Sequence, residues 1–306
     1  MLNNQKLKKV IKNPWIVSIY LGKLGLLNWI PSKLYLSMSY RAKMKKKLNL
    51  KNPQTFNEKI QWLKLYDRQF KYSEFVDKYK VREYISEKLG EEYLIPLIGV
   101  YDNFDEINFC ELPDRFVLKC THDSGGVVIC KDKKNFDIEN ARNKINRSLR
   151  KNYYYYSREW PYKNVIPRII CEKYMDSQFG DQIKDYKFMC FNGKVRCSFV
   201  CSNRGSEKGL NVDFYDLDWN HMPFERHYKN SGFIEPRPKN YKEMIKISEK
   251  LSKNIPFVRV DFYEVDGKVY FGELTFYPGA GFEEFTPEEY DYLLGSWIQL
   301  PNNIEK

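Results

Sequence analysis

Two stretches of the chain place an Xaa-Gly pair between arms rich in valine and aromatic residues. They are DYKFMCFNGKVRCSFVC (185–201), centred on Asn192-Gly193, and VRVDFYEVDGKVYFGELTF (258–276), centred on Asp266-Gly267. An Asn-Gly or Asp-Gly pair between such arms is a strong short-range signal for a β-hairpin. Much of the second half of the chain is therefore predicted to form antiparallel strands.

Helical and strand-like patterns alternate around the two hairpins. The spacing of apolar residues predicts helices at 52–68, at 73–89 and at about 240–253. Runs rich in β-branched and aromatic residues predict further strands, and 203–240 is expected to be rich in loops. Those strands are predicted at 94–100, 115–120, 126–131 and 168–175. Helices and antiparallel strands in this mixture indicate an α+β fold.

The composition is that of a globular protein. The 306 residues are 42% hydrophobic and include 20 phenylalanines and 24 tyrosines, enough to bury a large core over two or three sub-domains. The seven cysteines form no C-x-x-C pair and mostly fall inside strand-like runs, so we expect core fillers and a reducing cytosol. Three histidines argue against a His-rich zinc site.

The positive charge is concentrated in an N-terminal arm, residues 1–57. The arm holds twelve Lys and Arg and no Asp or Glu, whereas the remainder holds 39 bases and 40 acids, so the net +11 resides in the arm. Lys23 interrupts its apolar run, and no uncharged stretch reaches the ~20 residues of a spanning helix. Two roles stay open: a helical arm on an anionic membrane surface, or one packed on the body. The packed alternative buries Trp15, Leu21, Leu24 and Trp29. No nucleic-acid-binding motif is present, so we expect no nucleic-acid partner.

Each strand of the second hairpin carries a carboxylate within an apolar run, Asp261 on one and Glu273 on the other. Acids are poor strand formers and costly to bury alone, whereas Mg²⁺ commonly takes one or two carboxylates together with substrate phosphates. The two acids can share an ion only if they project from the same face. A two-residue turn would place them on opposite faces, so a metal site is expected to need a three-residue loop at 265–267. That register also brings Arg259 and Thr275 to the same face.

A lysine and a glycine-rich turn lie together in DRFVLKCTHDSGGVVICKD (114–132). Strand alternation places Lys119 opposite the apolar face, and the turn 121–126 ends in two glycines. Glycines let backbone N–H groups approach a phosphate, and a nearby lysine adds charge. Taken alone, the segment also fits an ordinary hairpin, and His122 within it fits a structural role.

Two further segments carry charged residues at element ends. In CEKYMD (171–176) an apolar strand runs out into Glu172, and such a strand end can offer backbone groups to an adenine edge. The alternative is a sheet edge that charge protects from further pairing. DKYKVRE (77–83) places Lys78 on a helix.

Taken in order, these residues resemble the ATP-grasp superfamily over roughly residues 76–284. A finer resemblance is to the branch associated with teichuronopeptide biosynthesis. It is carried by TFNEKIQWLKLYDR, DKYKVREYI, REWPYKNVIPRIICEKYM, DYKFMCFNGKVR, DFYDLDWN and GELTFYPGAGFEEF. The resemblance implies an α+β, ATP-grasp-like fold in which two antiparallel-sheet lobes sandwich ATP, preceded by the helical basic arm.

The resemblance also divides the chain. It implies a helical pre-grasp region at 58–113 after the arm of 1–57, a small lobe with a phosphate lid at 114–171, and a large lobe with the metal site at 172–300.

Residue roles follow from the resemblance in the same way. They are Lys78 and Lys119 on the nucleotide phosphates, Ser124, Gly125 and Gly126 in a flexible lid over them, Glu172, Lys173 and Tyr174 around adenine, Asp185 and Lys187 at ribose or phosphate, Arg259 on phosphate, and Asp261, Glu273 and Thr275 on Mg²⁺. Many ATP-grasp enzymes carry Glu-x-Asn where this chain has Glu273-Leu274-Thr275. A threonine hydroxyl would be a weaker metal ligand than the asparagine.

The implied chemistry is ATP-dependent activation of a carboxylate as an acyl phosphate, followed by attack of an amine to form an amide. Arg259, Lys119 and Arg204 are the expected catalytic residues, with Arg204 on the acyl phosphate or the carboxylate substrate. The finer resemblance implies a uronic acid of a surface polysaccharide or its sugar-nucleotide precursor, a small amine such as an amino acid, and ATP with Mg²⁺. We expect a cytoplasmic enzyme, held at the inner membrane face if the arm binds lipid.

Two other interpretations stay open from the sequence. Asp216-Leu217-Asp218 forms a D-x-D of the kind that metal-dependent glycosyltransferases use to hold a nucleotide sugar, although no βαβ nucleotide-sugar domain precedes it. A non-catalytic ATP-grasp-like binding module is the other, since the Glu-x-Thr departure weakens the second metal site.

Overall fold

The computed structural model describes residues 13–176, 183–203 and 209–301. Strands of the described residues form two larger antiparallel sheets and one two-stranded pair. They are β1 (Leu97–Tyr101), β2 (Phe116–Cys120), β3 (Val127–Cys130), β4 (Ile169–Lys173), β5 (Asp185–Phe191), β6 (Lys194–Ser202), β7 (Asn211–Tyr215), β8 (His221–Met222), β9 (Glu225–Arg226), β10 (Phe257–Val265), β11 (Lys268–Thr275) and β12 (Phe285–Thr286).

Nine α-helices accompany the strands in the described part of the chain. They are α1 (Ile16–Lys23), α2 (Ser32–Met44), α3 (Phe56–Tyr66), α4 (Lys71–Val76), α5 (Val81–Leu89), α6 (Ile138–Leu149), α7 (Tyr154–Ser157), α8 (Tyr241–Leu251) and α9 (Glu289–Trp297). Short 3₁₀ turns lie at 91–93, 104–106, 133–135, 160–162 and 278–281.

The large sheet has the strand order β11-β10-β5-β6-β7-β8 and is built around the two predicted hairpins. Asn192 and Gly193 connect β5 to β6, and Asp266 and Gly267 connect β10 to β11. All four residues have positive φ, as a two-residue type I′ hairpin turn requires. Helix α8 buries Tyr241, Met244 and Leu251 in the same core as these strands, so one face of the sheet is closed. The other face is left for a site.

The small sheet has the strand order β1-β4-β2-β3. Phe116 and Leu118 of β2 are fully buried with Ile145 of α6, which gives this sheet a core of its own. The β2–β3 connection is the glycine-containing turn 121–126. The two sheets therefore have separate cores, as expected of two lobes.

Helix α3 joins the large-sheet core through its apolar side. Thr55 and Glu58 form a reciprocal capping box that fixes its first turn. Phe56, Ile60 and Leu63 are buried in the large-sheet core, and Phe56 contacts Phe257 of β10 edge to face at 4.9 Å between ring centroids. The predicted helix at 52–68 is confirmed with tighter bounds.

One prediction of secondary structure was wrong. The predicted helix at 73–89 is two helices, because Asp77 accepts hydrogen bonds from the N–H groups of Tyr79 and Lys80 and starts a new helix there. The described part of 203–240 is rich in loops, as predicted, but it also contains β7, β8 and β9. Strands of two residues give almost no periodic signal, so β8 and β9 lie below what alternation can detect.

Helix α2 of the basic arm belongs to the body of the protein. Leu36, Tyr40 and Met44 are buried together with Leu65 of α3 and with Phe282. Arg158, which is almost fully buried, donates from Nη2 to the carbonyl of Leu27 at 2.7 Å and so holds the segment that precedes α2.

The segment from α1 to the start of α2 instead exposes large apolar side chains. They are Trp15, Val17, Tyr20, Leu24, Leu26, Trp29 and Leu34, of which Trp29 is 81% and Leu24 72% exposed. The packed alternative is therefore wrong for Trp15, Leu24 and Trp29, while Leu21 is half-buried. No described helix is long and apolar enough to cross a bilayer.

All seven cysteines fall within the described residues and are free thiols. Five of them are buried, and burial raises the pKa of Cys120, Cys171, Cys190 and Cys197 to about 12. The five buried thiols fill the core, as the sequence predicts.

Candidate active site

A cleft of about 710 Å³ lies between the two sheets. One wall carries residues of β2, β3 and β4, and the other carries residues of β5, β6, β7, β10 and β11. Its basic side chains outnumber its acidic ones: Lys78, Arg82, Lys119, Lys173, Lys187, Arg226 and Arg259 against Glu172, Asp185, Asp261, Glu273 and Glu283. The volume and the charge suit a polyanionic ligand of nucleotide size.

A row of three charged side chains crosses the open face of the large sheet. Lys187 of β5 is paired with Asp261 of β10, and Asp261 is paired with Glu273 of β11. Residues directly opposite one another on neighbouring strands share a face, with Cβ atoms about 5 Å apart. The two acids therefore project together into the cleft.

This common face arises from a bulge and not from the predicted three-residue loop, which was wrong. The turn has two residues, and Phe262 pairs with Phe271, which by alternation alone would place Glu273 on the core face. The register shifts between Asp261 and Phe262, so Gly272 is the extra residue and Glu273 returns to the cleft. A Cβ at Gly272 would lie 3.1 Å from the carbonyl oxygen of Asp261, which explains the glycine.

Arg259 links the two acids and the threonine beside them. Its Nε and Nη2 each donate to Asp261 at 2.6 Å, and Nη2 also lies 2.9 Å from Glu273 Oε1 and 2.9 Å from the Thr275 hydroxyl. Thr275 in turn donates to Glu273 Oε1 at 3.0 Å. The threonine thus bridges the cation and the acid.

Lys187 completes the charge balance around Asp261. Its Nζ bonds Asp261 and lies 2.6 Å from Asp185 Oδ2. Burial would lower the pKa of Lys187, but the carboxylates of Asp261 and Asp185 outweigh it and raise that pKa. Lys187 is therefore a fixed positive charge on the cleft floor.

The acids of the row differ in their titration. Burial would raise the pKa of Glu273, but the charges of Arg259, Lys187 and Lys78 outweigh it and lower that pKa to about 2. Asp261 is 2% exposed, and burial raises its pKa against the opposing charges of Arg259 and Lys187. Glu273, whose side chain is 40% exposed, is the more accessible acid of the pair.

The opposite wall presents a second set of ion pairs. Glu172 of β4, buried, accepts from Lys119 of β2 at 2.6 Å and from Arg82 of α5 at 3.1 Å. The contact with Glu172 therefore fixes the position of Lys119 in the cleft. Arg82 was missed from the sequence, because only the packing of α5 beside β4 brings it there.

Lys78 connects this wall to the turn 121–126. Its Nζ bonds the carbonyl oxygen of Asp123, and its backbone N–H donates to the carbonyl of Thr121 at 3.1 Å. Lys78 also acts electrostatically on Glu273 of the other wall. It lies between the two charged sets.

The turn itself is anchored at its base and exposed at its tip. Asp123 accepts from the N–H of Gly126 at 2.9 Å, and His122 Nε2 contacts the carbonyl of Ser148 at 3.1 Å. Ser124 and Gly125 are exposed and Gly126 is buried, and of these three predicted lid residues only Ser124 lines the cleft. His122 is buried and faces α6, so it has a structural position.

The predicted adenine segment lies at the end of β4. The backbone N–H of Lys173 donates to the carbonyl of Pro96 at 2.9 Å, so that donor is already used. The guanidinium of Arg115 lies over the ring of Tyr174, 4.5 Å from its centroid. Lys173 and Tyr174 both line the cleft beside apolar residues, among them Val117 and Ile170.

The donor set fits Mg²⁺ when phosphate oxygens are added. Asp261 Oδ2 and Glu273 Oε1 both contact one nitrogen, Arg259 Nη2, so a single cationic atom already reaches both acids. In the described part of the chain no group of three or more His, Cys, Asp or Glu could hold a metal ion by itself. Mg²⁺ typically uses one or two carboxylates and completes its shell with phosphates and water.

Several candidates fall outside this arrangement. Arg204 lies outside the described residues. Asp216 of the D-x-D accepts from the N–H groups of Asp218 and Asn220 and from the Asn220 amide, so it closes its own turn, and neither acid lines the cleft.

Helix α3 supports the far end of the cleft. Lys64, buried, and Gln61 both donate to the carbonyl of Ala280, at 2.7 and 3.0 Å. Ala280 and Gly279 both have positive φ, so these bonds hold an unfavourable turn directly after β11. The apolar pattern of α3 predicts its core face but not this polar contact.

The comparisons with known proteins agree with this architecture. The model of the family described as TupA-like ATPgrasp matches residues 58–299, and the chain belongs to that family. No curated protein sequence matches the chain.

Solved structures with a similar arrangement include D-alanine–D-alanine ligases and a RimK-domain ATP-grasp protein. The ligase from Bacillus anthracis complexed with ATP is 17% identical over 66% of this chain and 53% of its own, with a TM-score of 0.36. The ligase from Helicobacter pylori is 14% identical over 79% and 69%, with a TM-score of 0.42. The RimK-domain protein from Sphaerobacter thermophilus is 10% identical over 74% and 69%, with a TM-score of 0.39. The chain thus spans about half the length of the B. anthracis enzyme. The α+β ATP-grasp fold expected from the sequence is confirmed.

Proposed function

We propose that the protein is an ATP-dependent carboxylate–amine ligase that forms an amide through an acyl phosphate. The observation that carries the proposal is the charged row of Lys187, Asp261 and Glu273 with Arg259, facing Lys119 and Lys78 across one cleft. Phosphoryl transfer needs little covalent chemistry from a protein, but it needs fixed positive charge around the transferred group.

The two walls contact different parts of ATP in this proposal. Apolar residues of the small sheet receive the base, while Lys119, held by Glu172, and Lys78 contact the phosphates. Asp261 and Glu273 would hold Mg²⁺, which would supply positive charge to offset that of the phosphates when bound.

The reaction then has two steps. A carboxylate oxygen of the first substrate attacks the γ-phosphorus, the bond to the β–γ bridging oxygen breaks, and ADP leaves. The amine of the second substrate attacks the acyl carbon, the phosphate leaves with that carboxylate oxygen, and the amine loses a proton. Arg259 and Lys187 stabilise the negative charge on the transferred group in both steps.

The substrate side of the proposal is narrower. We take the activated carboxylate to be a uronic acid of a bacterial surface polysaccharide or of its nucleotide-sugar precursor, and the amine to be an amino acid or another small amine. The family membership supports this choice.

The N-terminal segment with exposed apolar side chains, residues 15–34, belongs to the same proposal. Trp29, Leu24 and Leu26 are exposed beside a region without acids, the composition of a peripheral membrane contact. We assign it to an anionic membrane surface, where each nearby base contributes ~1 kcal/mol.

Incubation with ATP, Mg²⁺ and panels of uronates, UDP-uronates, amino acids and simple amines tests the ligase. The expected result is ADP release that requires a carboxylate and an amine together. Thermal stabilisation by UDP-sugars but not by ATP with Mg²⁺ would instead support a glycosyltransferase, and stabilisation by neither would leave a binding module.

A further inference from the structure

Arg226 of β9 is a buried arginine that lines the same cleft and is not among the residues proposed to contact the phosphates of ATP. Beyond Lys187, the same row of paired strand positions continues with two aromatic residues. Lys187 is paired with Phe199 of β6, and Phe199 is paired with Phe214 of β7. The guanidinium of Arg226 lies 5.2 Å from the centroid of Phe199 and 5.6 Å from that of Phe214. Arg259 lies over the same Phe199 ring at 5.7 Å, so Arg226 is the next cation along the cleft from the reaction centre.

Two of the three side-chain nitrogens of Arg226, Nε and Nη1, are buried without a hydrogen-bond partner within the described residues. Its side chain is 7% exposed, yet Nη1 has no hydrogen-bond partner there. Nε lies 2.9 Å from Glu283 Oε2, but this contact is an ion pair without hydrogen-bond geometry. Leaving such donors and acceptors buried and unmet is costly, which indicates that a ligand meets them.

Glu283 is fixed against the turn that follows β11. A Cβ at Gly279 would fall 2.1 Å from the Glu283 carboxyl carbon, so the carboxylate lies directly on that glycine. Gly279 and Glu283 both line the cleft. The backbone on each side is held in the left-handed region, at His227 after the arginine and at Ala280 before the acid. Such conformations persist where the surrounding structure fixes them, and they gather at ligand sites.

Arg226 and Glu283 form an ion pair with each other, yet Nε and Nη1 of the arginine and Oε2 of the acid make no hydrogen bond within the described residues. A ligand that meets both carries a carboxylate for Arg226 and an ammonium for Glu283. The carboxylate to be activated must lie at the γ-phosphate, where Arg259 and Lys187 already serve it. The anion at Arg226 is therefore a second one, which is not activated.

We propose that Arg226 and Glu283 form the binding site for the amine substrate and that this substrate is an α-amino acid. The α-carboxylate lies on Arg226, and the amino group binds near Glu283 as an ammonium, which passes a proton to solvent before its nitrogen attacks. The assignment rests on the proposed ligase function and narrows its amine to a zwitterion, excluding simple amines and amino sugars without a carboxylate.

Matched series of amines test this on the full chain. Alanine, glutamate and lysine are each compared with the α-amide and with the amine left after removal of the carboxylate. The first readout is the KM for the amine in ADP release with ATP, Mg²⁺ and the uronate panel. The second is calorimetric binding of the same compounds in the presence of ADP and Mg²⁺, which needs no turnover. We expect the best amino acid to be favoured at least tenfold over both analogues, the loss typical of a removed charged hydrogen bond.

Two variants test whether Arg226 and Glu283 cause the preference for the α-amino acid. Arg226→Met should abolish the preference for the carboxylate. Glu283→Gln should weaken binding of the amino acid and of its amide alike, because both keep the ammonium. Arg142→Met is the matched control, since Arg142 also lies over a phenylalanine, Phe104 at 5.0 Å, and pairs with an acid outside the cleft. It should keep the full preference.

The two proposals fail in different ways. Equal use of amino acids and decarboxylated amines by the wild-type protein overturns the amino-acid site while the ligase stands. A folded Arg226→Met variant that keeps the preference does the same, and if that variant does not fold, the wild-type amine series still decides. Absence of ADP release with every pair overturns the ligase, and calorimetry then decides the site: binding of amino acids that depends on Glu283 supports it, and no binding overturns it.

Discussion

At the scale of single residues, the site is a set of opposite charges that neutralise one another until phosphate arrives. Arg259 contacts Asp261, Glu273 and Thr275 at once, and Lys187 contacts Asp261 from the neighbouring strand. Burying such a set is expensive unless every member is paired, which the geometry achieves. In the proposed ligase, Asp261 and Glu273 would hold Mg²⁺, and the same cations would then be available to a γ-phosphate.

Removing the charge of either acid tests this arrangement. Glu273→Gln and Asp261→Asn should each lower the rate of ADP release by about 100-fold or more, the loss typical of one preorganised electrostatic group. Both changes are nearly isosteric, so the fold should persist, as checked by circular dichroism. Asp218→Asn is the control, because Asp218 is exposed and outside the cleft. Near-normal turnover in either cleft variant, or loss of turnover in the control, contradicts the metal site.

The titration of Glu273 gives a second test at this scale. Its pKa is about 2 in the folded protein, below the ordinary value of 4.5, because nearby cations outweigh burial. Its contribution to stability is therefore fully present above about pH 4.5 and is lost as the pH falls towards 2. The difference in free energy of unfolding between the wild type and Glu273→Gln should shrink over that range in urea titrations. Glu284→Gln, at an exposed acid, is the control. A difference that stays constant with pH would mean that Glu273 lies outside the cationic cluster.

At the scale of elements, the hairpins show what the sequence can specify. Asp266-Gly267 determines the two-residue turn, and the β-rich arms determine the strands. The bulge at Gly272 was not predicted from the turn sequence. Whether a strand contains an extra residue depends on which side chains the sheet must bury, and the turn does not determine this. With a two-residue turn, alternation alone would place Glu273 on the core face of the sheet. Its position on the cleft face depends on the bulge at a single glycine.

The Arg226–Glu283 pair was missed for a related reason. A strand of two residues, β9, has no detectable period, and its partner β12 lies some sixty positions away. By contrast, Lys78, Lys119, Asp261 and Glu273 were candidates from the sequence because each interrupts a recognisable pattern or belongs to a family motif. All four line the cleft.

The two parts of the arm should respond differently to mutation. The double variant Leu24→Ser, Trp29→Ser should keep its melting temperature, because both side chains are exposed, but should no longer sediment with anionic liposomes. Ile234→Ser, at an equally exposed apolar residue elsewhere, should leave liposome binding unchanged. Binding of the wild type should weaken steeply between roughly 0.05 and 0.5 M salt as the charges are screened.

Deletion of residues 1–50 should instead destabilise the protein. Leu36 and Tyr40 are buried at 0% and 2% exposure, and each such side chain contributes ~1.5–3 kcal/mol. A full-length protein that ignores anionic liposomes at low salt, or a stable truncated protein, contradicts this division of the arm.

At the scale of the whole molecule, two sheets with separate cores present charged faces to one cleft. The large sheet supplies the acids and Arg259, the small sheet supplies Lys119 on Glu172, and Lys78 lies between them. Helix α3 holds the turn after β11 through Lys64 and Gln61, so the segment before the sheets also shapes the site. The proposed acyl-phosphate mechanism would bring the carboxylate and the γ-phosphate together in the cleft between these walls.

The most direct test of that mechanism follows an oxygen atom. Uronates and UDP-uronates labelled with ¹⁸O in the carboxylate are incubated with the full chain, ATP, Mg²⁺ and the amine that supports ADP release. If the carboxylate attacks the γ-phosphorus, one labelled oxygen leaves with the phosphate when the amine forms the amide, so each turnover should yield one phosphate bearing one ¹⁸O by mass spectrometry. Release of ADP with unlabelled phosphate would mean that water attacks ATP and would contradict the acyl-phosphate ligase.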